Sequence, residues 1–322
     1  MDYIKDNGMM EKLPFWKFGG KSSSAEKYLF ENENGSGQML LYNVLPGLKL
    51  AVTELNGSTM NFYHHAVSGV MQVNYCLNGR MGWIMQGGRS IYLGQGDVSF
   101  HMMDCCTVSG ITLPLGHYSG IALFVDLNMA AQPFAETLNL SDVDLPAWAE
   151  KFCRGGEVTV WPGAAEIADM FALLPRVKSE YRQAYFKLKA QEILLFLAVY
   201  GVPHLKTAES CEERYMEIIK KIHAKITGSW QEHYTIEQLA REHSINASVL
   251  KKVFKMVYGK PMAQYMKEYR MRKAAALLVA GSSSVAEIAA AAGYGSQSKF
   301  AAAFKQVMQL APSEYRMRYG KK

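Results

Sequence analysis

The spacing of hydrophobic positions changes near residue 128. Between Gln38 and Asp126, short apolar segments alternate with turn dipeptides such as Asn78-Gly79 and Gly96-Asp97. This spacing predicts antiparallel strands in a sandwich or small barrel. Asn78-Gly79 predicts a tight hairpin, because both central residues of such a turn tolerate positive φ.

After about Asn128 the apolar residues recur every three or four positions, which predicts helices. We expect short helices over 143–152 and 164–173 and a longer one over 180–200. The longer helix carries a broad apolar stripe made of Tyr185, Leu188, Ile193, Leu194, Leu197 and Ala198. Such a helix packs on the barrel or pairs with a second copy, and the pattern leaves both open. The polar segment 203–213 predicts a linker.

One pattern occurs twice in the last third of the chain. The segments are IEQLAREHSINASVLKKVFK over 236–255 and VAEIAAAAGYGSQSKFAAAFK over 285–305. Each predicts a helix-turn-helix, with a small alanine (Ala240 or Ala289) where two helices cross closely. The predicted turns are 244–245 and 293–294, and glycine suits a turn position that needs positive φ.

The second helix of each copy is the candidate reader of a nucleic acid. It opens with a polar capping residue, Asn246 or Ser296. Its apolar residues occupy one face, so polar groups are left on the other, and such a helix fits a major groove about 12 Å wide. Between the copies, residues 261–283 predict a rigid spacer helix about 30 Å long.

Charge separates the two halves of the chain. Residues 211–322 hold 19 Lys and Arg against 9 Asp and Glu, a net charge of +10, while the rest of the chain has −4. A compact basic block favours a polyanionic partner, most often nucleic acid. We expect a cytoplasmic protein without a membrane segment, because no apolar run approaches the roughly 20 residues of a span and the amino terminus lacks a signal-peptide core.

Five cysteines form no CxxC motif, which favours reduced, mostly buried thiols. The adjacent pair Cys105-Cys106 is the one candidate for a redox or metal role, although neighbours in a strand point to opposite faces. Plain packing is the favoured alternative.

At this point the C-terminal sequence resembles a known family. The stretch from about Tyr215 to Arg318 is similar to the DNA-binding domain of AraC-family regulators, through residues Ile288, Ala289, Gly293, Tyr294, Phe300, Phe304, Lys305, Pro312, Tyr315 and Arg316. The resemblance implies double-stranded DNA as partner, a homodimer, and contact with RNA polymerase if the protein is an activator. The β-rich front domain resembles the family's cupin-like sensor, through its strand series and the turn at 96–98.

The resemblance and the outer faces of the two helices predict the DNA contacts. They are Asn246, Ser248, Lys251, Lys252, Lys255, Ser296, Gln297, Ser298, Lys299, Lys305 and Arg316. The chain departs from the family at Gln309, where glycine is usual, and at 301–303, where three alanines replace long side chains. Alanine cannot hydrogen-bond a base edge, so we expect the second helix mainly to dock and the first to read sequence.

The front domain is predicted to bind an apolar or aromatic small-molecule effector. The candidate ligand-binding residues are Phe62, His64, Tyr75, Trp83, Met85, Phe100 and His101. Methionine-rich cavities adapt to irregular ligands, but a filled core without a ligand is the alternative. No HxH motif exists, so we predict no metal, no cofactor and no catalytic residue. The rivals are a cupin-type metalloenzyme, which lacks its ligand set here, and a DNA-repair methyltransferase, which needs clustered cysteines.

Together these patterns predict an α+β protein of two domains. A cupin-like β-barrel or sandwich with following helices precedes an all-α tandem helix-turn-helix domain. The expected boundaries are 1–37 for an N-terminal arm, 38–163 for the sensor, 164–205 for a helical linker or dimerisation region, and 206–322 for the DNA-binding domain.

Overall fold

The chain divides into two compact units. The computed structural model describes residues 9–13, 15–22, 24–61, 65–85, 88–104, 108–141, 143–202, 204–281 and 283–320. Unit 1 covers Met1–Ser210 and unit 2 covers Cys211–Lys322. The α+β class is confirmed, with an antiparallel β-rich first unit and a helical second unit. The division falls five residues beyond the predicted boundary between 205 and 206.

The strands of the first unit form antiparallel ladders. They are β1 (Lys17–Lys21), β2 (Glu26–Asn32), β3 (Gly35–Leu45), β4 (Leu48–Gly57), β5 (Thr59–Asn61), β6 (Val70–Met85), β7 (Arg89–Gly94), β8 (Val98–Met102), β9 (Val108–Thr112), β10 (His117–Asp126), β11 (Thr159–Trp161) and β12 (Lys206–Thr207), and β13 (Ser210–Glu212) lies at the boundary of the units. One sheet has the order β1-β2-β3-β4-β10-β6-β8-β11-β12.

Strand β6 belongs to two sheets. Its first half pairs with β10 and β8, and its second half pairs with β7 and β9. The hairpin predicted at Asn78-Gly79 is therefore wrong, because β6 continues through these residues without reversing its direction. The register slips by one residue here: Ser119 pairs with Asn78 but Gly120 pairs with Cys76, which leaves Leu77 as a bulge. Gly79 adopts the positive φ of +79° that the dipeptide favours, but the resulting bend redirects one strand.

The predicted N-terminal arm contains two strands instead. β1 pairs with β2, and β2 pairs with β3 from Glu26–Leu41 to Asn32–Gly35. Tyr28 and Phe30 point inward and are buried, while their neighbours alternate outward. The predicted boundary at residue 37 is wrong, because β1 and β2 belong to the sheet that β3 continues. Strand β5 ends at Asn61, and residues 62–64 lie outside the described part of the chain.

Four helices cover one face of the sheet that runs from β1 to β12. They are α1 (Ala131–Leu138), α2 (Leu145–Phe152), α3 (Ala165–Ala172) and α4 (Arg182–Tyr200), so the three predicted helices are confirmed and α1 is added. The inner face of α4 packs on the sheet, with the rings of Tyr42 and Phe186 4.7 Å apart. Leu188, predicted for the inner stripe, is instead 65% exposed.

The second unit consists of helices. They are α5 (Glu213–Gly228), α6 (Ile236–Glu242), α7 (Ala247–Tyr258), α8 (Met262–Ala280), α9 (Val285–Ala291), α10 (Gln297–Met308) and α11 (Pro312–Tyr319). The spacer α8 lies between the two helix pairs, and its Met271, Ala274 and Leu278 are buried against α9 and α10. Among the described residues, no helix combines the length and apolarity that crossing a bilayer requires.

Candidate functional site

The first helix-turn-helix consists of α6 and α7. Thr235 and Gln238 form a capping box: the Thr235 hydroxyl accepts from the Gln238 amide and the Gln238 side chain accepts from the Thr235 amide. The box thus gives hydrogen-bond acceptors to two backbone N–H groups that have no partner within the helix. Ala240 is buried at the crossing, and Ser244 adopts a left-handed φ of +51° in the turn.

The second copy, α9 and α10, repeats this construction. Ser284 and Glu287 form the capping box, and the Ser284 amide and hydroxyl lower the pKa of the Glu287 carboxyl. Ala289 is buried, and Gly293 takes the turn position with φ +77°. Both boxes were missed, although the TIEQ and SVAE segments carry their signature.

The outer face of α7 is polar. Ser248, Lys251, Lys252 and Lys255 are exposed at helical spacings of three and four, opposite the buried Leu250, Val253, Phe254 and Val257. Asn246 caps the helix by accepting from the Ser248 amide at 2.8 Å. The structure thus brings these five predicted residues together on one exposed surface. Their contact with DNA stays a prediction.

The outer face of α10 is less polar. Gln297, Ser298, Lys299 and Lys305 are exposed as expected, and Phe300 and Phe304 are fully buried. Of the three alanines predicted to be exposed, Ala302 is exposed, but Ala303 is 9% exposed and belongs to the core. Helical spacing causes this, because residue 303 follows Phe300 by three positions and returns to the inner face.

The structure shows the local surroundings of two further predicted contact residues. Ser296 makes no capping hydrogen bond through its side chain in the described structure. Arg316 is half-buried and its guanidinium donates to the carbonyl of Ser283. This contact ties α11 to the loop that precedes α9, so the Arg316 side chain is used within the unit.

A network around Arg270 was not predicted. Arg270, on α8, is 8% exposed. Its guanidinium donates to the carbonyls of Trp230 at 2.7 Å and Glu232 at 2.6 Å, and burial lowers its pKa. The residues concerned are about 40 positions apart, so no local pattern signals the network.

The first unit contains a cavity of about 110 Å³ against the strands. Its wall is mainly apolar and aromatic, and the residues with the largest side chains are Phe15, Trp16, Met39, Met81, Trp83, Met85, Met103, Tyr118 and Phe124. Such walls are typical of small-molecule sites.

The bulge in β6 decides which predicted ligand residues line this cavity. Trp83, Met85 and His101 are in its wall. Tyr75 and Phe100 instead face the helices, where Tyr75 stacks on Phe171 at 4.4 Å and Phe100 stacks on Phe152 at 5.3 Å. Phe62 and His64 lie outside the described residues. Before Leu77 the even-numbered residues of β6 face the cavity, and after it the odd-numbered ones do.

A polar row crosses the apolar wall. The Gln72 amide donates to Asn74 Oδ1 at 2.7 Å, and Asn74 Nδ2 donates to Ser99 Oγ at 3.2 Å. His101 is the cross-strand neighbour of Gln72. Burial raises the pKa of Tyr118 well above its ordinary value, so its phenol stays neutral. Among the described wall residues, none is a Lys, Arg, Asp or Glu.

The described cysteines are not activated. Cys76, Cys153 and Cys211 are buried free thiols. Burial raises the pKa of Cys76 to about 12 and that of Cys211 to about 11, so both stay protonated and weakly nucleophilic. Cys105 and Cys106 lie outside the described residues. Within the described ranges, no group of three or more His, Cys, Asp or Glu is placed to hold a metal ion.

Sequence comparisons agree with the geometry of the second unit. The family described as "Helix-turn-helix domain" matches residues 239–318. The HTH-type transcriptional activator RhaR of Mannheimia succiniciproducens is 29% identical over 119 residues, which cover 36% of this chain and 43% of the relative. The virulence regulon transcriptional activator VirF of Yersinia enterocolitica is 28% identical over 153 residues, covering 47% and 55%. The chain thus spans about half the length of these curated relatives.

Solved structures match as well. The C-terminal domain of AraT, a response regulator from Geobacillus stearothermophilus, is 27% identical with a TM-score of 0.32, and the match covers 33% of this chain and 88% of that one. Apo ToxT from Vibrio cholerae is 15% identical with a TM-score of 0.29, covering 85% and 98%. On its sequence match and its two helix pairs, the second unit is a helix-turn-helix domain of the AraC type.

Proposed function

We propose that this chain is a sequence-specific, DNA-binding regulator of transcription. The observation that carries the proposal is the pair of helices α7 and α10, each held by buried residues on one side and exposing polar groups on the other. The net charge of +10 over 211–322 favours a polyanion, and a spacer of 19 residues is about 28 Å long, close to one turn of DNA.

Binding to DNA is tested by the salt dependence of the affinity. We expect the full chain to bind duplex DNA with an affinity that falls steeply with salt, because each neutralised phosphate releases counterions. Replacing Lys251 and Lys255 by Gln should weaken binding and reduce the slope by about two. Replacing Lys220 and Lys221 on α5 by Gln removes the same charge elsewhere and should have a smaller effect. Equal losses for both pairs, or no salt-sensitive binding, would contradict the proposal.

The first unit is proposed to sense an uncharged, largely apolar molecule with one or two hydrogen-bonding groups. The aromatic and methionine wall supports the apolar part, and the Gln72–Asn74 row supports the polar groups. A charged ligand would lose its hydration without a counter-charge among the described wall residues. Ligand binding would favour one presentation of the second unit and so change DNA affinity.

Nile red, an uncharged apolar dye, tests this part. We expect saturable binding to the full chain, detected by dye fluorescence. His101→Glu places a charge in the wall and should abolish binding, whereas Leu29→Glu, at an exposed position of β2, should leave it intact. Equal binding by both variants would exclude the cavity as the site.

A homodimer is proposed through the outer face of α4. Tyr181, just before the helix, and Leu188 and Val199 on it are 62%, 65% and 66% exposed, and their spacing places them on one stripe. Two DNA-binding units on one dimer raise the apparent affinity for paired sites. Sedimentation of the full chain should show a dimer at tens of micromolar that Leu188→Glu dissociates, while Leu173→Glu on the preceding segment does not. A wild-type monomer would refute it.

A further inference from the structure

A chain of hydrogen bonds joins the two helix-turn-helix copies within the second unit. Arg270 Nη1, on the spacer α8, lies 3.3 Å from His233 Nδ1, in the loop that precedes the first copy. His233 Nε2 lies 3.1 Å from the carbonyl oxygen of Gly293, in the turn of the second copy. One imidazole ring thus contacts the spacer and the second turn at the same time.

The partners of the ring determine which nitrogen of His233 carries the hydrogen. A guanidinium can only donate, so Nδ1 of His233 must accept from Arg270. A carbonyl can only accept, so Nε2 must carry the proton that is donated to Gly293. Both contacts therefore require a neutral imidazole with its hydrogen on Nε2. A protonated ring would direct an N–H at the Arg270 guanidinium and lose the first contact.

A second, independent observation shows that the loop before the first copy lies close to the turn of the second copy. A Cβ on Gly293 would lie 2.6 Å from the carbonyl oxygen of Gln231 and 3.1 Å from His233 Nε2. Gly293 therefore allows both its positive φ and the contact with the 231–233 loop. Trp230, in the same loop, packs against the core that holds Phe300 and Phe304. The loop before the first copy is thus docked on the second copy.

The side chain of His233 can be replaced without loss of core packing. His233 is exposed, whereas Arg270 is buried with its other donors on the carbonyls of Trp230 and Glu232. Removing the imidazole leaves those two bonds in place. Loss of the imidazole therefore weakens the contact between the copies more than it lowers the stability of either copy.

We propose that His233 is a positioning residue that fixes the second recognition helix relative to the first. The proposal rests on the proposed binding of DNA by α7 and α10. With the contact in place, both helices meet the duplex in one arrangement, and less free energy is lost in ordering them on binding. Without it, the second helix contributes less to the binding of a site that spans both.

The test compares intact and half-scrambled sites. A duplex of 30 base pairs is enriched from a random pool by the wild-type full chain, and its footprint is mapped. Two derived duplexes carry one half of the footprint scrambled. We expect His233→Ala to reduce the advantage of the intact duplex over the scrambled ones by about tenfold, while affinity for the scrambled duplexes stays within about twofold of wild type.

His233→Gln is the matched variant. Its oxygen and nitrogen are separated by one carbon, as the two ring nitrogens are, so it can accept from Arg270 and donate to Gly293. We expect it to restore most of the lost advantage. Equal losses of His233→Ala on the intact and scrambled duplexes, or no rescue by glutamine, would overturn the positioning role.

Two readouts distinguish a failure of this proposal from a failure of the proposed DNA binding. If the wild-type chain fails to bind any duplex in a salt-dependent way, the proposed function fails first. The ¹⁵N chemical shifts of His233, assigned with the glutamine variant, report the tautomer directly in the full chain. A hydrogen on Nδ1 would overturn the proposal even if DNA binding is intact.

Discussion

The two helix-turn-helix copies are alike inside and different outside. Both begin with a capping box, cross at a buried alanine and turn through one residue of positive φ. Leu250 and Phe254 in the first copy correspond to Phe300 and Phe304 in the second, and all four are fully buried. On the outer faces, Lys251 and Lys252 of α7 correspond to Ala301 and Ala302 of α10, whereas Lys255 corresponds to Lys305.

This difference separates what the fold requires from what binding requires. Packing, capping and backbone conformation fix the inner positions, because a cavity or an unsatisfied amide costs free energy in either copy. The outer positions contact solvent and are free to differ. The two copies can therefore serve as controls for each other.

The largest expected effect tests the likeness of the interiors. Phe254→Ala and Phe304→Ala should each lower the free energy of unfolding by about 3–5 kcal/mol, because each removes a fully buried ring. Denaturant unfolding of the full chain, followed by circular dichroism, measures both. A small loss for one and a large loss for the other would break the equivalence of the copies.

The turns should respond differently. Gly293→Ala should cost about 2–3 kcal/mol of unfolding free energy, because alanine resists the positive φ and its Cβ meets the Gln231 carbonyl. Gly295→Ala is the control in the same turn, since nothing lies within 4 Å of its Cβ. In the first copy, Ser244→Gly should change stability by less than about 0.5 kcal/mol. Equal costs at 293 and 295 would be inconsistent with the docked turn.

The outer faces should differ in DNA binding. Lys251→Ala should weaken binding to the enriched duplex by about 1–3 kcal/mol and relax the preference at one base pair, and Lys299→Ala should cost less than about 1 kcal/mol. Fluorescence anisotropy with single-base variants of the duplex measures both. Unchanged affinity and preference for Lys251→Ala would show that α7 does not read sequence.

The smallest effect concerns the caps of the recognition helices. Asn246→Ala should destabilise the chain by about 1 kcal/mol, because the Asn246 side chain accepts from the Ser248 amide. Ser296→Ala should change stability by less than about 0.3 kcal/mol, because the Ser296 side chain makes no such bond. Thermal unfolding under matched conditions compares them, and a reversed order would contradict the assigned caps.

The second unit was largely predictable because its signals are local. Helical periodicity, the small Ala240 and Ala289 and the glycine turn all act within about 20 residues, so the sequence specifies both helix pairs. The contacts that join the copies were not predictable. His233 and Gly293 are 60 positions apart, and a lone histidine in a polar loop carries no sign of its partners.

The first unit was less predictable, because one bulge in β6 changes which face of the strand the odd-numbered residues occupy. The odd-numbered Tyr75 and Trp83 belong to the same apolar pattern, yet they lie on opposite faces of β6. A tight-turn dipeptide gives the same sequence signal whether it closes a hairpin or bends a strand. Only the pairing of both halves with different sheets distinguishes the two.

The extra residue in β6 also makes the lining of the cavity sensitive to chain length. Deleting Arg80, which follows the bulge, would leave Gln72 and Asn74 in place but turn every later residue of β6 to the opposite face of the strand. Gly82 and Ile84 would then replace Met81, Trp83 and Met85 on the wall. A single-codon deletion would thus exchange a bulky sulfur-rich and aromatic lining for a smaller aliphatic one, without altering any side chain, and this offers a short route to a new ligand preference.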